Sequence, residues 1–149
     1  MCHPMASTPV KTDPATEAWT LVLALFFGER PPRIPRIAAE FDVSPMALKM
    51  LQWLEPGVEM TMSGLAEQIY CDASNVTGIV DRLEARGLIE RRDKPGDRRV
   101  KLIGLTAEGE RWREQILERL YEPPEPIAGL SASDQRALRD VLRRAVGEN

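Results

Sequence analysis

The sequence predicts a mainly α-helical fold centred on a winged helix-turn-helix, and three observations within residues 63–109 predict it. Apolar residues recur at helical spacing in two short runs, Leu65, Ala66 and Ile69, then Val76, Ile79, Val80 and Leu83. After Gly87 the period falls to that of a strand, over Leu88–Arg92 and again over Arg99–Leu105. Between the strands, Asp93-Lys-Pro-Gly-Asp-Arg-Arg99 combines turn residues with cations and reads as a basic hairpin tip. Two helices, a two-stranded ribbon and that tip make the motif.

In chain order, residues 1–12 have no periodicity and several breakers, so a disordered tail is expected. Asp13-Pro14 starts a first helix that runs to Phe27 or Gly28. Its Trp19, Val22, Leu23, Leu25, Phe26 and Phe27 cover more than one stripe, which calls for burial on two sides and points to a partner subunit. The apolar run 18–27 is about half of a membrane span and lacks the flanks of a secretion signal, so no membrane role is expected. After Pro31, Pro32 and Pro35, a short helix over Ile34–Phe41 and another from Ser44-Pro45 follow, the latter sending Met46, Leu48, Leu51, Trp53 and Leu54 to the core. Glu55-Pro56-Gly57 ends it.

Ser63 is the expected N-cap of the first motif helix. Asp72 is that of the second, through the backbone N–H of Asn75, and Gly87 ends this helix near Arg86. Beyond the wing, Thr106 caps a helix carrying Trp112, Ile116, Leu117 and Leu120, which Tyr121-Glu-Pro-Pro-Glu-Pro126 breaks. Ser131, with Asp134 completing a capping pattern, opens a last helix whose apolar stripe is Leu138, Val141, Leu142 and Val146.

At 149 residues the chain suits one domain. Its net charge of −3 hides an asymmetry. Arg82 to Lys101 holds eight Lys/Arg against four acids, a net +4, which leaves −7 for the remainder. Local field rather than total charge governs attraction to a polyanion, so the pattern fits double-stranded DNA. On a helix over 73–86, Ser74, Asn75, Thr77, Gly78, Asp81 and Arg82 lie opposite the apolar face, a small, polar, donor-rich surface suited to base edges and phosphates in a major groove. Arg98, at the hairpin tip, is the residue expected to enter a minor groove. Arg99 reaches phosphate or pairs with Asp97, Asp97 is a structural partner, and Pro95-Gly96 makes the turn.

With these residues in view, the chain resembles the MarR family of bacterial transcriptional regulators. The resemblance rests on Leu65-Ala66, Asn75-Val-Thr-Gly-Ile-Val-Asp-Arg-Leu-Glu84, Gly87-Leu-Ile-Glu-Arg91, Asp97-Arg98-Arg99 and Leu105-Thr-Ala-Glu-Gly109, ordered over about a third of the chain. It implies a regulator, most often a repressor, that binds an inverted-repeat operator as a homodimer. The 73–86 helix would then sit in the major groove and the 93–99 wing in the minor groove. It also implies that the N- and C-terminal helices form an all-helical dimerisation region: residues 13–55 and 106–149 flanking a DNA-binding region at 56–105. A short strand at Thr61-Met62 is implied beside the wing. Release by a small aromatic or lipophilic effector is implied too, for which Trp19, Phe26, Trp53 and Trp112 are the candidate cleft residues. Gly78 departs from the family pattern, which often has a long polar residue there. It either lets the backbone approach DNA or weakens direct readout at that position.

Other chemistries find little material. The only histidine is His3, so Ser/His and Cys/His catalysis and multi-histidine metal sites lack their parts. The glycines form no phosphate-binding pattern, and neither enzyme activity nor any cofactor is expected. Two cysteines, Cys2 and Cys71, make no disulfide framework, which fits a reducing cytoplasm. Cys71, near a helix N-terminus, is either an oxidant sensor or a small packed hydrophobe, and Cys2 is a second candidate sensor. Two further readings stay open, a thiol-based redox regulator and a winged helix used for protein–protein docking.

Overall fold

The computed structural model describes residues 13–29, 31–70 and 72–148, with the side chain of residue 73 left aside. Expectations for residues 1–12, including Cys2 and His3, and for Cys71 lie outside the described residues. Local chemistry fixes most helix starts. Asp13 accepts the N–H groups of Ala15 and Thr16 to open α1 (Pro14–Gly28), with proline in its first turn. Ser44 accepts Ala47 N–H to open α3 (Pro45–Trp53), after α2 (Arg33–Glu40). Then come β1 (Met60–Thr61), α4 (Met62–Ile69), α5 (Ala73–Ala85), β2 (Ile89–Lys94), β3 (Asp97–Leu105), α6 (Ala107–Tyr121), α7 (Glu125–Ala128) and α8 (Ala132–Val146).

The chain divides into two units, one up to Pro32 and one from Arg33. The first holds α1, which buries none of its residues. The second holds one apolar core, with Ile37 from α2, Leu48 and Leu51 from α3, Leu65 and Ile69 from α4, Val76, Val80 and Leu83 from α5, Ile89 and Ile103 from the sheet and Ile116 from α6. Among the described residues, no charged or polar residue is buried with it. The sheet is antiparallel in the order β1-β3-β2, with Ile89 opposite Leu105, Arg91 opposite Ile103, and Met60 opposite Ile103 from the other side. No described helix is long and apolar enough to cross a membrane.

Three expectations are corrected and one element is added. The N-cap of α4 is Thr61, which accepts Gly64 N–H at 3.1 Å, rather than Ser63. The helix begins sooner because Thr61 is held by pairing with Leu102. That short strand is Met60–Thr61, one residue earlier than the resemblance implied. Trp53 is 46% exposed rather than in the core. The buried face of α3 follows Ala47, Met50, Leu51 and Leu54, and a residue two after Leu51 falls on its flank. Finally, the proline-rich break after Tyr121 contains a turn of its own, α7, which ends where Gln135 Nε2 donates to the carbonyls of Ala128 and Leu130.

Candidate nucleic-acid interface

α5 divides as its sequence divides. Val76, Ile79, Val80 and Leu83 are buried, while Ser74, Asn75, Thr77, Asp81 and Arg82 are exposed and Gly78 is half-buried. Asp72 has the extended backbone of an N-cap, yet its carboxylate makes no capping bond to Asn75, a correction to the sequence reading. The far end closes as a Schellman motif. Gly87 N–H donates to Glu84 O at 2.9 Å and Leu88 N–H to Leu83 O at 3.0 Å, with Gly87 at φ +71°.

That joint is locked from α6. Thr106 N–H donates to Leu88 O at 3.1 Å, and the Thr106 hydroxyl donates to Gly87 O. The same hydroxyl accepts Gly109 N–H at 3.0 Å. A Cβ on Gly109 would lie 1.8 Å from Leu88 O, so only glycine lets α6 start against this turn. The Leu105-Thr106…Gly109 pattern is thus what fixes the wing's base to the end of α5.

Ion pairs then decide which cations remain available. Arg91 on β2 reaches back to α5 and donates to both Asp81 and Glu84. The hydrogen bond to Asp81, with Glu84 beside it, outweighs partial burial and holds the guanidinium pKa above its ordinary value. Arg86 turns the other way. Its guanidinium donates to Asp42 O and Phe41 O and stacks over the Trp112 ring at 4.8 Å. Arg92 pairs with Glu90, and Lys101 with Asp93. At the tip, Asp97 accepts Arg99 N–H at 3.1 Å and lies 3.7 Å from Arg99 Nε, with Pro95-Gly96 as the turn and Gly96 at φ +85°.

Among the described residues, Arg82, Lys94 and Arg98 are the cations of residues 82–101 that make neither an ion pair nor, as Arg86 does, hydrogen bonds to backbone carbonyls, and all three are exposed. Lys94 was missed by sequence reasoning, and so were the inward roles of Arg86 and Arg91. For Arg91 a signal existed, because Asp81 and Glu84 are spaced by one helical turn on the side that faces the ribbon.

Each of the four aromatic residues considered for a ligand cleft has its own surroundings within its unit. Trp112 packs on Phe41 at 5.4 Å between centroids, Trp53 is exposed on α3, and Trp19 and Phe26 are exposed on α1. A cavity of about 460 Å³ lies between the α2–α3 turn and α5, walled by Val43, Ala47, Ile79 and Leu83, with Arg82 and Arg86 also lining it.

The sequence model of the MarR family matches residues 43–101, the stretch just described. The HTH-type transcriptional regulator YdgJ of Bacillus subtilis is 35% identical over 103 residues, 68% of this chain and 63% of that protein. The chain belongs to the MarR family. The family is one of transcriptional regulators, not enzymes. Two solved structures carry the fold comparison. YusO from Bacillus subtilis aligns with a TM-score of 0.72 at 25% identity, over 91% of this chain and 96% of that one. The F27L mutant of MepR from S. aureus, bound to an oligodeoxyribonucleotide, aligns at 0.65 and 17% identity, over 91% and 98%. The chain spans a little under two thirds of the curated relatives it matches, 63% and 59% of the first two.

Proposed function

We propose that this MarR-family regulator binds an inverted-repeat operator as a homodimer, with α5 in the major groove and the 93–99 wing in the adjacent minor groove, and that binding represses transcription. The observation that carries the reading is the sorting of charge. Arg91, Arg86 and Lys101 are tied into the protein, while Arg98 at the tip and Arg82 beside the polar face of α5 stay unpaired. A surface that keeps cations free beside exposed Ser74, Asn75 and Thr77 suits phosphates and base edges. Phosphate and base contacts fall to Ser74, Asn75, Thr77, Gly78, Arg82, Arg98 and Arg99, and the shape of the wing tip to Pro95, Gly96 and Asp97. Residues 13–55 and 106–149 serve as the dimerisation region, supported by the exposed apolar side chains of α1 and α8. Release by a small ligand is supported by the cavity against α5, where an occupant would touch Ile79, Arg82 and Leu83 directly.

The test is selection of bound sites from random duplexes, followed by gel-shift titration at fixed salt. Arg98→Ala is expected to weaken binding about tenfold, on the scale of one lost groove contact of roughly 1–3 kcal/mol, with the melting temperature unchanged. Selection of no site, or equal binding by the variant, would overturn the reading in favour of a protein-docking winged helix.

A further inference from the structure

Tyr70 occupies a place where a tyrosine costs something twice. It is the residue that ends α4, at φ +53° and ψ +50°, a left-handed conformation that glycine adopts freely and a branched side chain does not. It is also 91% exposed, so its ring gains almost nothing from burial. Neither helix termination nor packing explains it, and residues held at such a cost are where function is sought.

The neighbourhood is cationic. Lys49 reaches from α3 to donate to Ile69 O at 3.1 Å, and its ammonium stands 5.6 Å from the centroid of the Tyr70 ring. One of its three N–H donors is used by that carbonyl, which leaves two. Three residues further on, α5 begins, with Ser74 and Asn75 exposed on its first turn. A helix whose N-terminal residues meet base edges in a major groove has, at that end, the phosphate strand bordering the groove.

We propose that Lys49 and Tyr70 form a backbone clamp: the phenol hydroxyl and the free ammonium donors take one DNA phosphate beside the N-terminus of α5. The clamp rests on the DNA-binding reading above and adds a contact from outside both α5 and the wing. Such a contact carries no sequence information; it sets how far along the groove α5 is seated. Asp72 lies two residues from Tyr70 with a carboxylate that makes no capping bond, and a negative charge that close along the chain would oppose a bound phosphate.

Anisotropy titrations of labelled duplexes, one carrying a selected site and one unrelated, test it across a range of salt. Tyr70→Phe keeps the ring and removes the hydroxyl. It is expected to weaken both duplexes by the same factor, roughly ten- to a hundredfold for a hydrogen bond to a charged group. Lys49→Gln should also weaken both and flatten the salt slope by about 0.9 for each phosphate released. Asp72→Asn, an equally good N-cap, should tighten both. Tyr70→Gly separates function from architecture, because relief of the left-handed strain should raise the melting temperature by roughly 2–4 °C while binding weakens. Wild-type binding with Tyr70→Phe and Tyr70→Gly binding equally well would overturn the clamp and leave the regulator reading intact. Absence of wild-type binding to any duplex would instead sink that reading, and the clamp with it.

Discussion

At the scale of single residues, Gly109 carries an unusually sharp constraint. Its missing side chain is the space in which Leu88 O sits, and that carbonyl is already committed to Thr106 N–H. Gly109→Ala cannot be absorbed by a rotamer change, since the atom met is backbone. The helix start or the α5–β2 joint must move. A destabilisation of at least about 3 kcal/mol is expected, at the severe end for overpacking. Urea unfolding measures it, and a midpoint within error of wild type would show that the joint is softer than its hydrogen bonds imply.

At the scale of elements, α5 carries an instructive weakness in Gly78. A Cβ there would meet only Arg82 Nη2, at 3.9 Å, which is ordinary contact. Nothing among the described residues requires the glycine, and it costs the helix about 1 kcal/mol of propensity. Gly78→Ala is therefore expected to stabilise the fold by roughly 0.5–1 kcal/mol in thermal or chemical unfolding. The same variant decides why the glycine is there. Weaker operator binding means the backbone of α5 approaches DNA closely, and unchanged binding means Gly78 simply forgoes a contact. The elements themselves were legible because their signals are local: Asp13, Ser44, Thr106 and Ser131 all cap the helices their positions announce. Ser63 misled because the start of α4 is set by the pairing of Thr61 with Leu102, a partner some forty residues away. The polar face of α5 could be read from its period, whereas the fate of its cations could not. Whether Arg86 faces solvent or the carbonyls of Phe41 and Asp42 depends on where α2 ends in space.

At the scale of the whole molecule, unpaired apolar surface and unpaired charge lead to two measurements. Val141, Leu142 and Val146 on α8 are 52%, 45% and 71% exposed, and Leu142 shares an apolar groove with Ile127 and Leu138. If that surface belongs to a dimer interface, Leu142→Glu places a charge in it twice. Dimer dissociation should then strengthen at least about 100-fold, near 3 kcal/mol, without loss of secondary structure. Sedimentation at micromolar concentration reads this directly. Counting charges by sequence from Arg82 to Lys101 suggests eight cations per subunit, and a dimer using all of them would give a salt slope near −14. The ion pairs reduce that number sharply. Arg82, Lys94 and Arg98 remain unpaired, Arg99 is 97% exposed and exchanges its pair with Asp97 for DNA, and Lys49 joins them if the clamp forms, so eight to ten phosphates per dimer would be neutralised. The expected slope of log K against log salt is therefore roughly −7 to −9. A slope near −14 would mean that DNA pulls Arg91, Arg92 and Lys101 out of their pairs. The acids Asp81, Glu84, Glu90 and Asp93 would then be placeholders for phosphate rather than fixed supports of the wing.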